Sequence, residues 1–251
     1  MAHLVLVRHG ATLWNDQHRF TGWGDAPLSE KGEAQARELG SILRQKRFAF
    51  DLCHTSRLSR GQQTLEILLQ GMGNPNLPTE QFWRLNERHY GALQGKPRRA
   101  VAKDYGHKAT IAWRRSYQAR PPALDDEDPH WQAQCRDYSD VPKELLPRCE
   151  SLEDGVLRVE PYWRDCLAPK LLAGMSVLLV GHTTSLRGLV RILDDLSDGE
   201  TEAFRIPTAI PLVYEFGDKL ARLSSYRLHG NYKNRWRDLR SRCKPRWISW
   251  M

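Results

Sequence analysis

Two apolar runs in this chain end on the same residue type. His3-Leu4-Val5-Leu6-Val7 runs into Arg8-His9-Gly10, and Ser176-Val177-Leu178-Leu179-Val180 runs into Gly181-His182-Thr183-Thr184. A neutral imidazole can attack phosphorus, and the phosphoimidazole that results needs its charge spread over cations and a second imidazole. The cations are at hand: Arg8 beside His9, Arg60 in Leu58-Ser59-Arg60-Gly61, Arg88 in Asn86-Glu87-Arg88-His89-Tyr90-Gly91, and the pair Arg114-Arg115. Guanidinium forks match phosphate oxygens bidentately. Such a cluster, short of compensating acids, repels itself unless it holds an anion. Glu87 is the carboxylate set among them, and with a raised pKa it would protonate a leaving oxygen. Arginines stand in for magnesium in this chemistry, so no metal is expected, and no metal-ligand spacing is present.

These residues need elements to deliver them. Both apolar runs read as strands, the second as a fully buried one. Residues 29–46 read as a helix, with Ser29 as N-cap, Glu30 in the first turn and Ala36, Leu39 and Leu43 on one face. A second strand is expected over 50–53, ending in His54-Thr55-Ser56, and a helix over 57–70. Residues 98–146 carry Pro121-Pro122, an acidic run from Asp125 to Asp128, Pro129 and Pro142, and read as an irregular insertion rather than a second domain. Helical periodicity returns over 150–172 and 185–193, and 210–216 reads as a last strand, set near an edge by Pro211. Strands alternating with helices imply an α/β fold with a mainly parallel sheet. In such sheets ligands bind beyond the carboxyl ends of the strands, which is where Arg8-His9 and His182 fall.

Composition narrows the setting. With 251 residues, 40% hydrophobic and 27% charged, the chain has the make-up of a soluble globular protein. Its apolar runs fall far short of the roughly 20 residues that span a bilayer. It has no secretory leader pattern, so a cytoplasmic protein is expected. The five cysteines are scattered, which suits reduced thiols. The formal charge of +8 is concentrated at the end: Arg235, Arg237, Arg240, Arg242, Lys244 and Arg246 face only Asp238 within 234–251. The body is mildly basic, so neither nucleic acid nor membrane is expected as a partner. One domain over 1–233 and a basic, Trp-containing tail over 234–251 are expected.

Leu6-Val7-Arg8-His9-Gly10 resembles the signature of the histidine phosphatase superfamily. The chain resembles, more narrowly, its cofactor-dependent phosphoglycerate mutases, through Arg8-His9-Gly10-Ala11-Thr12-Leu13-Trp14-Asn15, Arg19-Phe20-Thr21-Gly22-Trp23, Leu85-Asn86-Glu87-Arg88-His89-Tyr90-Gly91-Ala92-Leu93-Gln94-Gly95, Trp113-Arg114-Arg115 and Cys149-Glu150-Ser151-Leu152. The resemblance implies a three-layer α/β sandwich with a mainly parallel central sheet flanked by helices. It implies an isomerase of glycolysis and gluconeogenesis in which His9 is phosphorylated by the primer 2,3-bisphosphoglycerate. It implies that Glu87 is acid and base, and that Arg8, Arg60 and His182 stabilise the transferring group. Thr12, Asn15, Thr21, Gly22, Arg88, Tyr90, Arg98, Arg114, Arg115, Thr183 and Thr184 would then bind the phosphoglycerate, in a homodimer.

The chain departs from that pattern where Thr183-Thr184 replace Gly-Asn after the second histidine, where Thr12 replaces a serine, and where Arg98 replaces a lysine. These changes touch phosphate binding rather than the nucleophile. A phosphatase, a bisphosphoglycerate mutase and a non-catalytic phospho-ligand binder are the alternatives they leave open. For the tail, the readings are a lid over the site, a basic-aromatic surface patch and a loosely packed end.

Overall fold

The computed structural model describes residues 1–229 and, for the backbone alone, 232–235. The tail beyond 235, with the readings attached to it, lies outside the described residues. Seven strands form one sheet: β1 (Ala2–Arg8), β2 (Leu52–Thr55), β3 (Thr79–Gln81), β4 (Val177–Gly181), β5 (Leu212–Phe216), β6 (Arg222–His229) and β7 (Tyr232–Arg235). Their order is β3-β2-β4-β1-β5-β6-β7. The pairings from β3 to β1 are parallel; β5, β6 and β7 continue the sheet antiparallel.

Alternation along the strands makes two cores, because successive side chains leave opposite faces. Leu4, Leu6, Val177, Leu179 and Tyr214 face one helical layer, α7 (Leu152–Tyr162), α8 (Ala168–Leu172) and α9 (Thr183–Asp194). Val5, Val7, Leu178, Val180 and Val213 face the other, α2 (Glu30–Gln45) and α3 (Ser59–Met72). With helices on both faces, β4 is buried at every residue, which is why it reads as an unbroken apolar run. Ser29 caps α2 as the sequence indicates, its hydroxyl accepting from Gly32 N. The expected helix over 150–172 is continuous except that Trp163–Leu167 form a π-helical turn.

Two expectations are corrected. Residues 98–146 are not irregular: they hold α4 (Arg98–Tyr105), α5 (His107–Arg115) and α6 (Pro129–Asp137). Pro129 misleads because it occupies the first turn of α6, where a missing N–H costs nothing. Nor is the strand over 210–216 an edge or the last one. Pro211 precedes β5 and uses only its carbonyl, which accepts from Leu228 N, so β5 sits between β1 and β6. The signal for β6 was there in the alternation of Tyr226 and Leu228, both buried, with more polar neighbours. The remaining short helices are α1 (Leu13–Asp16) and α10 (Asp198–Ala203).

The loop after β1 is packed backbone to backbone against α2. A Cβ on Gly32 would run into the carbonyl of Ala11, and one on Gly10 would meet Gly32 O. Replacing Gly32→Ala is therefore expected to destabilise the fold by about 1–3 kcal/mol, the usual range for overpacking. Urea denaturation measures it; an unchanged midpoint would show that the loop can move aside freely.

Candidate active site

The sheet register sets the two histidines together. β1 and β4 are parallel neighbours with Arg8 opposite Gly181, so the residues that follow each strand emerge side by side. His9 N donates to Gly181 O at 3.1 Å, and the two imidazole centroids lie 4.9 Å apart. The expectation that separate strands bring them to one crevice holds, and the strands are adjacent.

His9 is 4% exposed, and its Nδ1 lies 2.7 Å from Gly10 O. A carbonyl can only accept, so Nδ1 carries the proton and Nε2 keeps its lone pair. Burial, then the charges of Arg60 and Arg8, push the His9 pKa well below 6.5, against the pull of the Gly10 carbonyl. The ring is thus neutral at physiological pH, with a nucleophilic nitrogen. His182 is depressed in the same way, by burial and then by Arg60, His9 and Arg8. Its Nε2 lies 2.7 Å from Ser56 Oγ, which itself accepts from Leu58 N. The His182 Nδ1 is a buried nitrogen with no partner among the described residues.

Around His9 lies a cavity of about 160 Å³ lined by seven arginines, Arg8, Arg19, Arg60, Arg88, Arg98, Arg114 and Arg187, and one carboxylate, Glu87. Asn15, Phe20, Thr21, Gly22, Tyr90, Thr183 and Thr184 complete the wall. The arginines are held by backbone oxygens rather than by acids. Arg60, 1% exposed, donates to Gly22 O at 2.7 Å and Gly24 O at 3.0 Å. Arg88 donates to Arg114 O at 2.8 Å and to the Tyr90 hydroxyl at 3.1 Å, tying α5 to the pocket. Arg8 donates to Ile206 O at 3.2 Å. Desolvation lowers Arg60 to about 10, still charged at neutral pH. Arg8 Nε, Arg60 Nε, Arg88 Nε and Nη1, and Arg98 Nε remain buried donors with no partner among the described residues.

Glu87 faces this charge from the start of α9. Its Oε1 accepts from Arg88 N at 2.8 Å and Thr184 N at 3.1 Å, and its Oε2 from Thr183 N at 3.1 Å. Burial pushes its pKa up, but the Thr184 and Arg88 hydrogen bonds and the charges of Arg88 and Arg60 outweigh that and hold it below 4.5. The sequence led us to expect a raised pKa; the structure gives the opposite, because a helix N-terminus is an anion site. The segment carrying Glu87 is braced from behind by Arg158. That side chain pairs with Glu150 at 2.6 Å and donates to the carbonyls of Arg84, Asn86 and Glu87.

Three of the named residues are absent from the pocket wall: His182, fully buried with its ring 4.9 Å from that of His9, Thr12 and Arg115. Thr12 is buried as the N-cap of α1, its hydroxyl accepting from Asn15 N, so it positions Asn15. Arg115 is exposed and absent from the wall. Arg187, Arg19 and Phe20 were missed. Arg187 lies one helical turn beyond Thr183, and that spacing is the signal that could have found it. Among the described residues, His54, Glu80 and Cys166 could gather round an ion. None of them lines the pocket, and Lys170 Nζ already lies 2.6 Å from Glu80 and 3.1 Å from His54.

Four buried histidines, His9, His54, His89 and His182, are all held below 6.5 by burial first, His54 and His89 down to about 4. Each stays neutral in the fold but takes a proton near 6.5 once unfolded. Their stabilising effect is whole above about pH 6.5 and drains away as pH falls toward 4, by up to about 1.4 kcal/mol per pH unit for each. Urea titrations at pH 7.5 and 5.5 measure this. Equal stability at the two values would contradict it.

Comparison with known proteins agrees with this geometry. Residues 4–133 match the model of the histidine phosphatase superfamily (branch 1). The chain is 45% identical over 225 residues to the 2,3-bisphosphoglycerate-dependent phosphoglycerate mutase of Hamiltonella defensa subsp. Acyrthosiphon pisum (strain 5AT), covering 90% of each. Among solved structures it is similar to a mycobacterial glucosyl-3-phosphoglycerate phosphatase (TM-score 0.64, 25% identity, 86% of this chain and 93% of that one). In fold it is also similar to a phosphoglycerate mutase from Bacillus anthracis str. Sterne (TM-score 0.60, 24% identity, 85% and 88%). The chain belongs to branch 1 of the histidine phosphatase superfamily, among the 2,3-bisphosphoglycerate-dependent phosphoglycerate mutases.

Proposed function

We propose that this chain interconverts 3-phosphoglycerate and 2-phosphoglycerate through a phosphoryl group carried on His9 Nε2. The observation that carries the proposal is the neutral His9, its Nδ1 anchored on Gly10 O, facing a pocket in which Arg8, Arg60, Arg88 and Arg98 each keep a buried guanidinium nitrogen with no partner among the described residues. A pocket with seven arginines and one carboxylate takes a ligand of several negative charges. Those free donors suit 2,3-bisphosphoglycerate as well as the substrate, and the primer supplies the first phosphoryl group.

The roles follow from the geometry. Arg8 and Arg60 line the pocket with His9, and the His182 ring lies 4.9 Å from that of His9; Arg8, Arg60 and His182 would spread the charge of the transferring group. Glu87, ionised at rest, acts first as base. It takes the proton of the acceptor hydroxyl as that oxygen takes phosphorus from Nε2 and the N–P bond breaks. It then returns a proton to the other oxygen of the bound bisphosphate as His9 recovers a phosphoryl group. A depressed pKa suits a cycle that opens with proton abstraction. Arg88, Tyr90, Arg98, Arg114 and Arg187, with Asn15, Thr21, Gly22 and the backbone of Thr183 and Thr184, would hold the carboxylate and distal phosphate. Arg115 has no place in that set. Thr12 serves through Asn15. The reading includes a cytoplasmic homodimer; no helix among the described residues is long and apolar enough to cross a membrane.

Incubation with 3-phosphoglycerate, with and without 2,3-bisphosphoglycerate, tests the proposal when 2-phosphoglycerate and inorganic phosphate are both followed. Primer-dependent isomerisation with little phosphate release is expected. Release of phosphate as the main product would make the chain a phosphatase, and no turnover would make it a binder. Replacing Glu87→Gln is expected to lower kcat by about 10²–10⁴-fold while the pocket still binds. Replacing Arg114→Ala is expected to raise the share of phosphate released per isomerisation, since it frees the second anionic group of the ligand.

A further inference from the structure

A second cluster of polar side chains lies outside the phosphate pocket, where β2, β3 and the α7–α8 run meet. His54 leaves β2 on the same face as Leu52, and so points at α7 and α8 rather than at α2 and α3. Glu80 comes from β3, the strand at the end of the sheet, opposite His54 in the parallel register. Tyr162, Cys166 and Lys170 recur every four residues along the helical run and share one face. Cys166 stands in the π-helical turn Trp163–Leu167, a local widening that is frequent at functional sites.

The hydrogen bonds fix which nitrogen of His54 carries a lone pair. Lys170 Nζ lies 3.1 Å from Nε2, and an ammonium can only donate, so Nε2 accepts. Burial, then the charge of Lys170, bring the His54 pKa down to about 4 against the pull of Glu80. The ring is therefore neutral, and its proton sits on Nδ1 and goes to the Tyr162 hydroxyl. A metal-ligating histidine is held in the same way, one nitrogen anchored by a neighbour and the other free to bind. His54 Nε2 lies 3.6 Å from Glu80 Oε2. Tetrahedral zinc bonds of about 2.0–2.3 Å set ligand atoms about 3.3–3.8 Å apart. The ligand atoms of His54, Glu80 and Cys166 all lie within 4.8 Å of one another, so a modest rotation of Cys166 closes the set. Glu80 is exposed and Cys166 half-buried, which leaves an entry from solvent.

We propose that His54 Nε2, the Glu80 carboxylate and the Cys166 thiolate bind one zinc ion, with water as the fourth ligand. Zinc is the divalent ion that takes nitrogen, sulfur and carboxylate oxygen together. One thiolate and one carboxylate cancel its charge. On binding, the sulfur gives a lone pair to zinc as the thiol proton leaves to solvent. The Lys170 ammonium, 2.6 Å from Glu80, moves outward and keeps its charge. Burial first, then Glu80 and Asp165 against Lys170, raise the Cys166 pKa, so zinc affinity climbs with pH, by up to about tenfold per unit. None of the three ligands lines the phosphate pocket, so the ion staples β2 and β3 to the helical layer rather than serving the reaction. They are far apart in sequence, which is why no ligand spacing announces them.

Cobalt titrated into the chelator-treated full chain tests this, because a thiolate bound to Co²⁺ gives a charge-transfer band in the near ultraviolet. A single equivalent is expected to saturate that band in the parent, and added zinc to abolish it. Cys166→Ser is expected to lose the band. Glu80→Gln, an exposed and conservative change, keeps the proposal testable if Cys166→Ser misfolds, and is expected to weaken cobalt binding by about tenfold or more. Lys170→Met removes the charge that the ion must displace and is expected to tighten binding by about tenfold. No band in the parent, or a band undiminished in Cys166→Ser, would overturn the proposal. So would a cobalt affinity unmoved by both Glu80→Gln and Lys170→Met.

Discussion

Packing guanidinium groups around an imidazole that must stay neutral is the constraint on which the rest of this structure depends. Seven arginines share one small cavity with a single carboxylate. Left to themselves, like charges at such range repel by several kcal/mol even in a moderately polar medium. The protein offsets this locally with carbonyl oxygens, those of Gly22, Gly24, Arg114 and Ile206, and with Glu87. It leaves one or more buried nitrogens of Arg8, Arg60, Arg88 and Arg98 without a partner among the described residues, and the proposed anionic ligand would complete them.

The same field explains both titration shifts that the chemistry needs. Positive neighbours and burial keep His9 and His182 unprotonated, which preserves a nucleophile. The positive neighbours also keep Glu87 ionised, against its burial, with the first turn of α9 adding two backbone donors. Thr183 and Thr184 contribute to that through backbone N–H groups, and Thr184 through its side chain as well. The backbone donors do not depend on the side chain, so the departure from the family's Gly-Asn leaves them in place. The Thr184 methyl is accommodated by Gly155 of α7, where a Cβ would collide with it.

How much of this could be read from the residues differs by kind. Strand ends were legible, because an unbroken apolar run ending on a histidine fixes both the element and the residue it delivers. The direction of the Glu87 shift was not, since it depends on a helix terminus 96 residues away in sequence. Arg114 and Arg115 look alike as a pair, yet neighbours on a helix point about 100° apart, and only Arg114 reaches the pocket. Thr12 shows another limit: its hydroxyl is spent on a helix cap, which composition cannot distinguish from ligand contact. The helices of 98–146 were hidden by prolines that sit at helix starts and in connections, where they do no harm.

The central claim is that the neutral Nε2 of His9 is the atom that accepts phosphorus. It is tested most directly by exposing the chain to 2,3-bisphosphoglycerate, quenching in alkali, which preserves phosphohistidine, and mapping the modified peptide by mass spectrometry. The account predicts one acid-labile phosphoryl group, on His9, formed by the parent chain and lost in His9→Ala. A phosphoryl group on any other residue, or none on a chain that still turns over substrate, would contradict it.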